Sequence, residues 1–91
     1  MVDFDALSRV KQGQPLEVNG VQYKVVNVYK GIKVNIVKEL TLEGSSGEIF
    51  VLQLIFNNKS LAFWKEEMDP KKRKPSYQNP NLIPIESVNI L

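Results

Sequence analysis

The dipeptide Asn19-Gly20 lies between two stretches, "LEV" and "VQYKVVNVY", in which apolar and polar residues alternate. A two-residue hairpin turn matched to the twist of its strands needs positive φ at both central positions, and Asn followed by Gly is the pair best suited to that. The alternation has the period of a strand with one dry face and one wet face. This part of the chain is therefore committed to antiparallel sheet.

The alternation changes phase once. Its apolar set runs Val21, Tyr23, Val25 and then shifts to Val26 and Val28, which predicts a β-bulge that bends the sheet toward closure. Lys30-Gly31 reads as a second tight turn. In "IKVNIVKELTL", which follows, Ile32, Val34, Ile36, Leu40 and Leu42 fall on one face and Lys33, Asn35, Glu39 and Thr41 on the other. "GSSG" at 44–47 is a polar turn without the lysine and spacing of a phosphate-binding loop. "IFVLQLIF" is apolar on both faces and reads as the central strand, with Phe50, Leu52, Leu54 and Phe56 on one side. Asn57-Asn58-Lys59 then turns the chain into "SLAFW". Near the C-terminus "IESVNIL" resumes strand composition, with Val88 and Ile90 on one face, and is expected to close the sheet.

Ahead of the first strand, Asp3 is placed to cap a short helix carrying Phe4, Leu7 and Val10 on one face, with Gly13 and Pro15 ending it. The expected fold is mainly β with one short N-terminal helix as a lid. About six strands form a small antiparallel barrel or a strongly curved sheet, SH3-like or OB-like. Tyr23 and Tyr29 read as packing residues with their hydroxyls at the rim.

Ninety-one residues, 43% of them apolar, suffice for a single domain, 1–91, with one hydrophobic core. The absence of cysteine rules out disulfides, thiolate metal sites and cysteine nucleophiles. The absence of histidine removes the commonest general base and metal ligand. No catalytic role, cofactor or metal is expected. The acidic start, Met1-Val2-Asp3-Phe4-Asp5, lacks the apolar run of a signal peptide, and the longest apolar stretch is too short for a membrane helix. These features predict an intracellular, cytoplasmic protein without membrane association.

Regular patterning stops at Trp64. A long Pro/Lys-rich loop at about 66–84 follows, holding four of the five prolines, at 70, 75, 80 and 84. Within it Lys71, Lys72, Arg73 and Lys74 are contiguous between Pro70 and Pro75. The chain's net charge is +2, but these four are a third of its twelve cations, and the other eight face ten acids. Loops this long in compact domains are usually functional or disordered. A run of cations in extended, proline-flanked chain suits a phosphate backbone, whose neutralisation releases condensed counterions. Lys65 precedes the run and Tyr77 follows it. Phe63 and Trp64, adjacent on a strand, must point to opposite faces; an exposed Trp64 would stack on bases beside Tyr77.

These residues make a small nucleic-acid-binding protein the first expectation, DNA more than RNA and weakly sequence-specific. Its contacts are Lys71, Lys72, Arg73, Lys74, Lys65, Tyr77 and Trp64. "PKKRKP" also resembles a monopartite nuclear localisation signal, which implies a nuclear address in a eukaryotic source. Two blander roles compete. Glu66, Glu67 and Asp69 just upstream are able to neutralise the cations across a solvated loop. Alternatively, the first or last strand offers an open edge for a homodimer or a protein partner, making the chain an assembly module without a nucleic-acid role.

Overall fold

The computed structural model describes residues 4–33, 36–55, 60–66 and 82–91. In chain order the elements are helix α1 (Phe4–Ser8) and strands β1 (Pro15–Val18), β2 (Val21–Lys33), β3 (Ile36–Glu43), β4 (Ile49–Ile55), β5 (Ser60–Glu66) and β6 (Val88–Ile90). The six strands form one antiparallel sheet in the order β5-β4-β3-β2-β1-β6. Five strands follow one another as a meander, and β6 returns to the far edge beside β1. The sheet curls into a half-barrel, the strongly curved form expected from the alternation and its phase change.

The hairpin that begins the sheet has Asn19 at φ 53° and Gly20 at φ 80°, with Val18 paired to Val21. The predicted bulge is present: the β2–β3 register shifts between Val25 and Asn27. Tyr23 and Val25 precede it and Val28 follows it on the core side. Leu40 and Leu42 of β3, Phe50, Leu52 and Leu54 of β4, and Phe63 of β5 complete that face. Tyr23 meets the rings of Phe50 and Phe63 edge-on, at centroid distances of 4.9 and 6.0 Å. Burial, followed by the nearby Glu48 carboxylate, raises its hydroxyl above the ordinary value of 10.0.

Three expectations are corrected. Lys30-Gly31 is not a turn: β2 continues to Lys33, which pairs with Ile36, and Gly31 takes φ 63° at a second register shift. A glycine with positive φ serves a bulge as readily as a turn. On β3 a shift between Ile36 and Lys38 pairs Ile36 with Ile55, out of phase with Leu40. β4 is interior but second from the edge, not central. Val34, Asn35, Phe56 and the Asn57-Asn58-Lys59 turn lie outside the described residues.

Helix α1 ends at Ser8, earlier than expected, yet Leu7 and Val10 are both buried on the core. Its C-terminal carbonyls find a donor from the sheet. Lys38 Nζ donates to Ser8 O and to Val10 O, each at 2.6 Å. This lysine shares the dry face with Leu40 and Leu42 and is almost wholly buried. Burial lowers its pKa from 10.5, and the neighbouring charge of Lys30 lowers it further. Cations near a helix C-terminus are favourable, so the lid is fastened to the sheet by this buried lysine.

The last segment is fastened as well. Asn19 donates through Nδ2 to Pro84 O at 2.8 Å, and its Oδ1 accepts from Glu86 N at 2.6 Å and Ser87 N at 3.3 Å. Its own backbone N–H donates to Ser87 O at 2.9 Å. The turn residue therefore aligns β6 with β1, where Val18 pairs with Val88 and Leu16 with Ile90.

Candidate nucleic-acid interface

The site expected from the sequence centres on the end of β5. Alternation along this strand sends Phe63 and Lys65 to one face and Trp64 and Glu66 to the other. Both aromatics are buried. Phe63 stacks on Phe50, with ring centroids 5.4 Å apart. Trp64, only 4% exposed, packs on the outer face opposite Val51. Its indole N–H donates to Glu66 Oε2 at 2.7 Å, an i to i+2 pair on one face of the strand. That hydrogen bond and the burial remove Trp64 from any exposed stacking surface; it is an anchor of β5.

Glu66 is itself 9% exposed, and its Oε1 has no hydrogen-bond partner. It is thus a buried acceptor committed to Trp64, not one of the solvated acids expected upstream of the basic run. Lys65 faces away from Trp64 and is half-exposed, with Nζ 3.8 Å from Glu48 Oε2. So exposed a pair at that distance contributes little, which leaves the ammonium available to another anion. Lys71, Lys72, Arg73, Lys74 and Tyr77, with Glu67 and Asp69, lie outside the described residues.

What the fold does establish is where that segment is attached. Its first end follows Glu66 on β5. Its other end returns at Leu82, which forms an antiparallel bridge with Trp64, and Ile83 N donates to Phe63 O at 2.7 Å. Residues 67–81 therefore leave and rejoin the fold at the same place on the β5 edge.

Sequence patterning misassigned one aromatic. Tyr29 is 49% exposed on β2 rather than packed. It pairs with Glu39 on the outer face, three strand spacings or about 14 Å from β5. Between them Glu39 is buried and accepts from Gln53 Nε2 at 2.8 Å. Among the described residues no cluster of three acids is placed to hold a metal ion, and no helix is long and apolar enough to cross a membrane. Comparison with protein-family models, with curated proteins and with solved structures finds no match for this chain.

Proposed function

We propose that this protein binds nucleic acid, DNA in preference to RNA and with little sequence discrimination, through Lys71, Lys72, Arg73 and Lys74. Lys65 adds a fifth cation beside the attachment point, and Tyr77 supplies the stacking ring. Trp64 takes no direct part and instead holds the strand from which the segment departs. The observation that carries this reading is the concentration of four contiguous cations in a chain otherwise net −2, on a segment whose two ends are held together at the β5 edge. Tethered at one place, the cations are kept at high local density. Electrostatic capture of a polyphosphate backbone requires that density and no fixed base-reading geometry.

The test is a binding titration with duplex DNA, single-stranded DNA and single-stranded RNA across a salt series, comparing the wild type with a variant in which residues 71–74 are all alanine. If all four cations contact phosphates, the slope of log K against log[salt] flattens by about 3.6 on duplex or about 2.8 on single strands. An unchanged slope, or no wild-type affinity for any of the three at low salt, rejects the reading.

A further inference from the structure

We propose that Arg9, Lys11 and Lys30, gathered around the buried ammonium of Lys38 where α1 docks on the β2–β3 ladder, form a second contact for the phosphate backbone of nucleic acid. The inference rests on the nucleic-acid reading above for its ligand class, and on different residues for its site. Packing is the first ground. Lys30 and Lys38 stand directly opposite each other in the β2–β3 ladder, and Lys38 Nζ holds Ser8 O and Val10 O at the end of the helix. In sequence Arg9 lies between those two carbonyls and Lys11 follows the second. Cationic residues from three stretches of chain therefore converge on one rim of the half-barrel. Arg9, Lys11 and Lys30 are exposed there.

The second ground is charge. Opposite charges across a ladder stabilise a sheet, and like charges directly opposite destabilise it. The Lys30–Lys38 pair is of the second kind, and its repulsion is felt at Lys38, whose pKa is lowered by burial and then by Lys30. Among the described residues neither these two nor Arg9 and Lys11 are in an ion pair; the pair that does form joins Lys65 to Glu48. Asp5 is the exposed acid of α1. Glu39 belongs to the opposite face of the sheet, buried and bonded to Gln53. Glu43, Glu48 and Glu66 lie at the other end of the sheet, where Glu43 pairs with Lys24, about 20 Å along β2 from Lys30. A buried charge is screened by salt less than an exposed one, so Lys38 adds to the field at the rim without touching the ligand. Phosphates held by Arg9, Lys11 and Lys30 relieve a repulsion that the free fold carries, and a nucleic-acid backbone offers a separate phosphate to each.

The test is a salt series with duplex and single-stranded DNA on three further proteins. They are the combined variant Arg9→Gln, Lys11→Gln, Lys30→Gln; the same changes added to the 71–74 alanine variant; and Lys24→Gln, at an exposed lysine on the other end of the sheet. The three rim substitutions flatten the slope of log K against log[salt] by about 2.7 on duplex or about 2.1 on single strands, in either background. Lys24→Gln leaves it unchanged. Lys30→Glu, which replaces the like-charge pair with an opposite one, weakens DNA binding at least about eightfold at about 0.1 M salt and raises the Tm of the free protein by about 2–5 °C. Absence of wild-type affinity for nucleic acid overturns the inference together with the reading on which it rests. A slope flattened by the 71–74 changes but not by the rim changes overturns the inference alone, and the reverse result upholds it while rejecting the segment. Flattening by Lys24→Gln equal to that per rim cation, or a lower Tm in Lys30→Glu, also overturns it. So does binding to vesicles of phosphatidylcholine and phosphatidylserine that the rim changes abolish while the DNA slope stays put, which would assign the rim to a membrane surface.

Discussion

Substituting Asn19 separates two jobs that one residue performs. Its backbone takes the positive φ of the hairpin, while its side chain makes three hydrogen bonds to the segment entering β6. Asn19→Gly preserves the first job, because glycine adopts φ near +53° without strain; its greater loss of chain entropy on folding offsets that relief. The second job is lost. Two of the three bonds are short, at 2.8 and 2.6 Å, and each is worth about 1 kcal/mol net. Both are exposed, so the expected loss is about 1–2 kcal/mol. For a domain of this length that lowers Tm by roughly 4–16 °C. Asn19→Asp keeps the acceptor for Glu86 N and Ser87 N but places a carboxylate oxygen against Pro84 O, and should fall between wild type and Asn19→Gly. Calorimetry gives Tm, and amide exchange at Glu86 and Ser87 gives the local effect, which should appear in Asn19→Gly first. An Asn19→Gly protein within about 2 °C of wild type, with both amides unchanged, would refute the assignment of the side chain as the fastener of β6.

Other expectations follow from the buried polar groups. Trp64→Phe leaves Glu66 Oε2 without its donor in a buried setting and should cost at least about 1–3 kcal/mol by urea denaturation; Glu66→Leu should cost less in that background than alone, as two partners in a cycle require. The chain has one tryptophan, so fluorescence reports Trp64 alone. Its emission should be blue-shifted, resistant to iodide, and unchanged when DNA binds; strong quenching by DNA would return Trp64 to the interface. Lys38 has a folded pKa below 10.5. The unfolded state therefore holds its proton longer, and stability from this group rises with pH between the lowered value and 10.5. Neutral Lys38 still has two N–H donors for Ser8 O and Val10 O, and Lys38→Met should abolish the rise. Tyr23 acts oppositely: its pKa is raised above 10.0, so stability falls as pH climbs from 10.0 through the folded value, a decline that Tyr23→Phe should remove.

Most of the fold was legible because local chemistry and long-range pairing agree. Asn19-Gly20 admits little besides a hairpin, the Val25–Val26 phase change marks a real bulge, and the two-sided apolarity of β4 fits an interior strand. Gly31 misled because its positive φ is equally compatible with a turn and with a bulge, and only the partner strand decides between them. Lys38 left a trace that patterning alone does not resolve: its parity sets it with Leu40 and Leu42, but nothing local announces that a helix C-terminus waits above it. The Asn19 fastener spans more than sixty residues of sequence, so no window exposes it. Alternation put Phe63 and Trp64 on opposite faces correctly. It did not reveal that both faces are buried there, which depends on tertiary cover and not on the strand's own sequence.

The bridge between Trp64 and Leu82 has a consequence for how the chain tolerates change. The two ends of residues 67–81 are attached at one place, so closing that stretch spans no long distance across the fold. For a flexible connection between two such ends, doubling the length adds only about 0.6 kcal/mol of closure entropy. A cut within it should leave residues 82–91 in position as a separate piece, held by the bridge, by Asn19 and by the β1–β6 ladder. What holds residues 82–91 in place is thus built from contacts among residues on either side of the cationic stretch, and a change within that stretch leaves those contacts to be tested on their own.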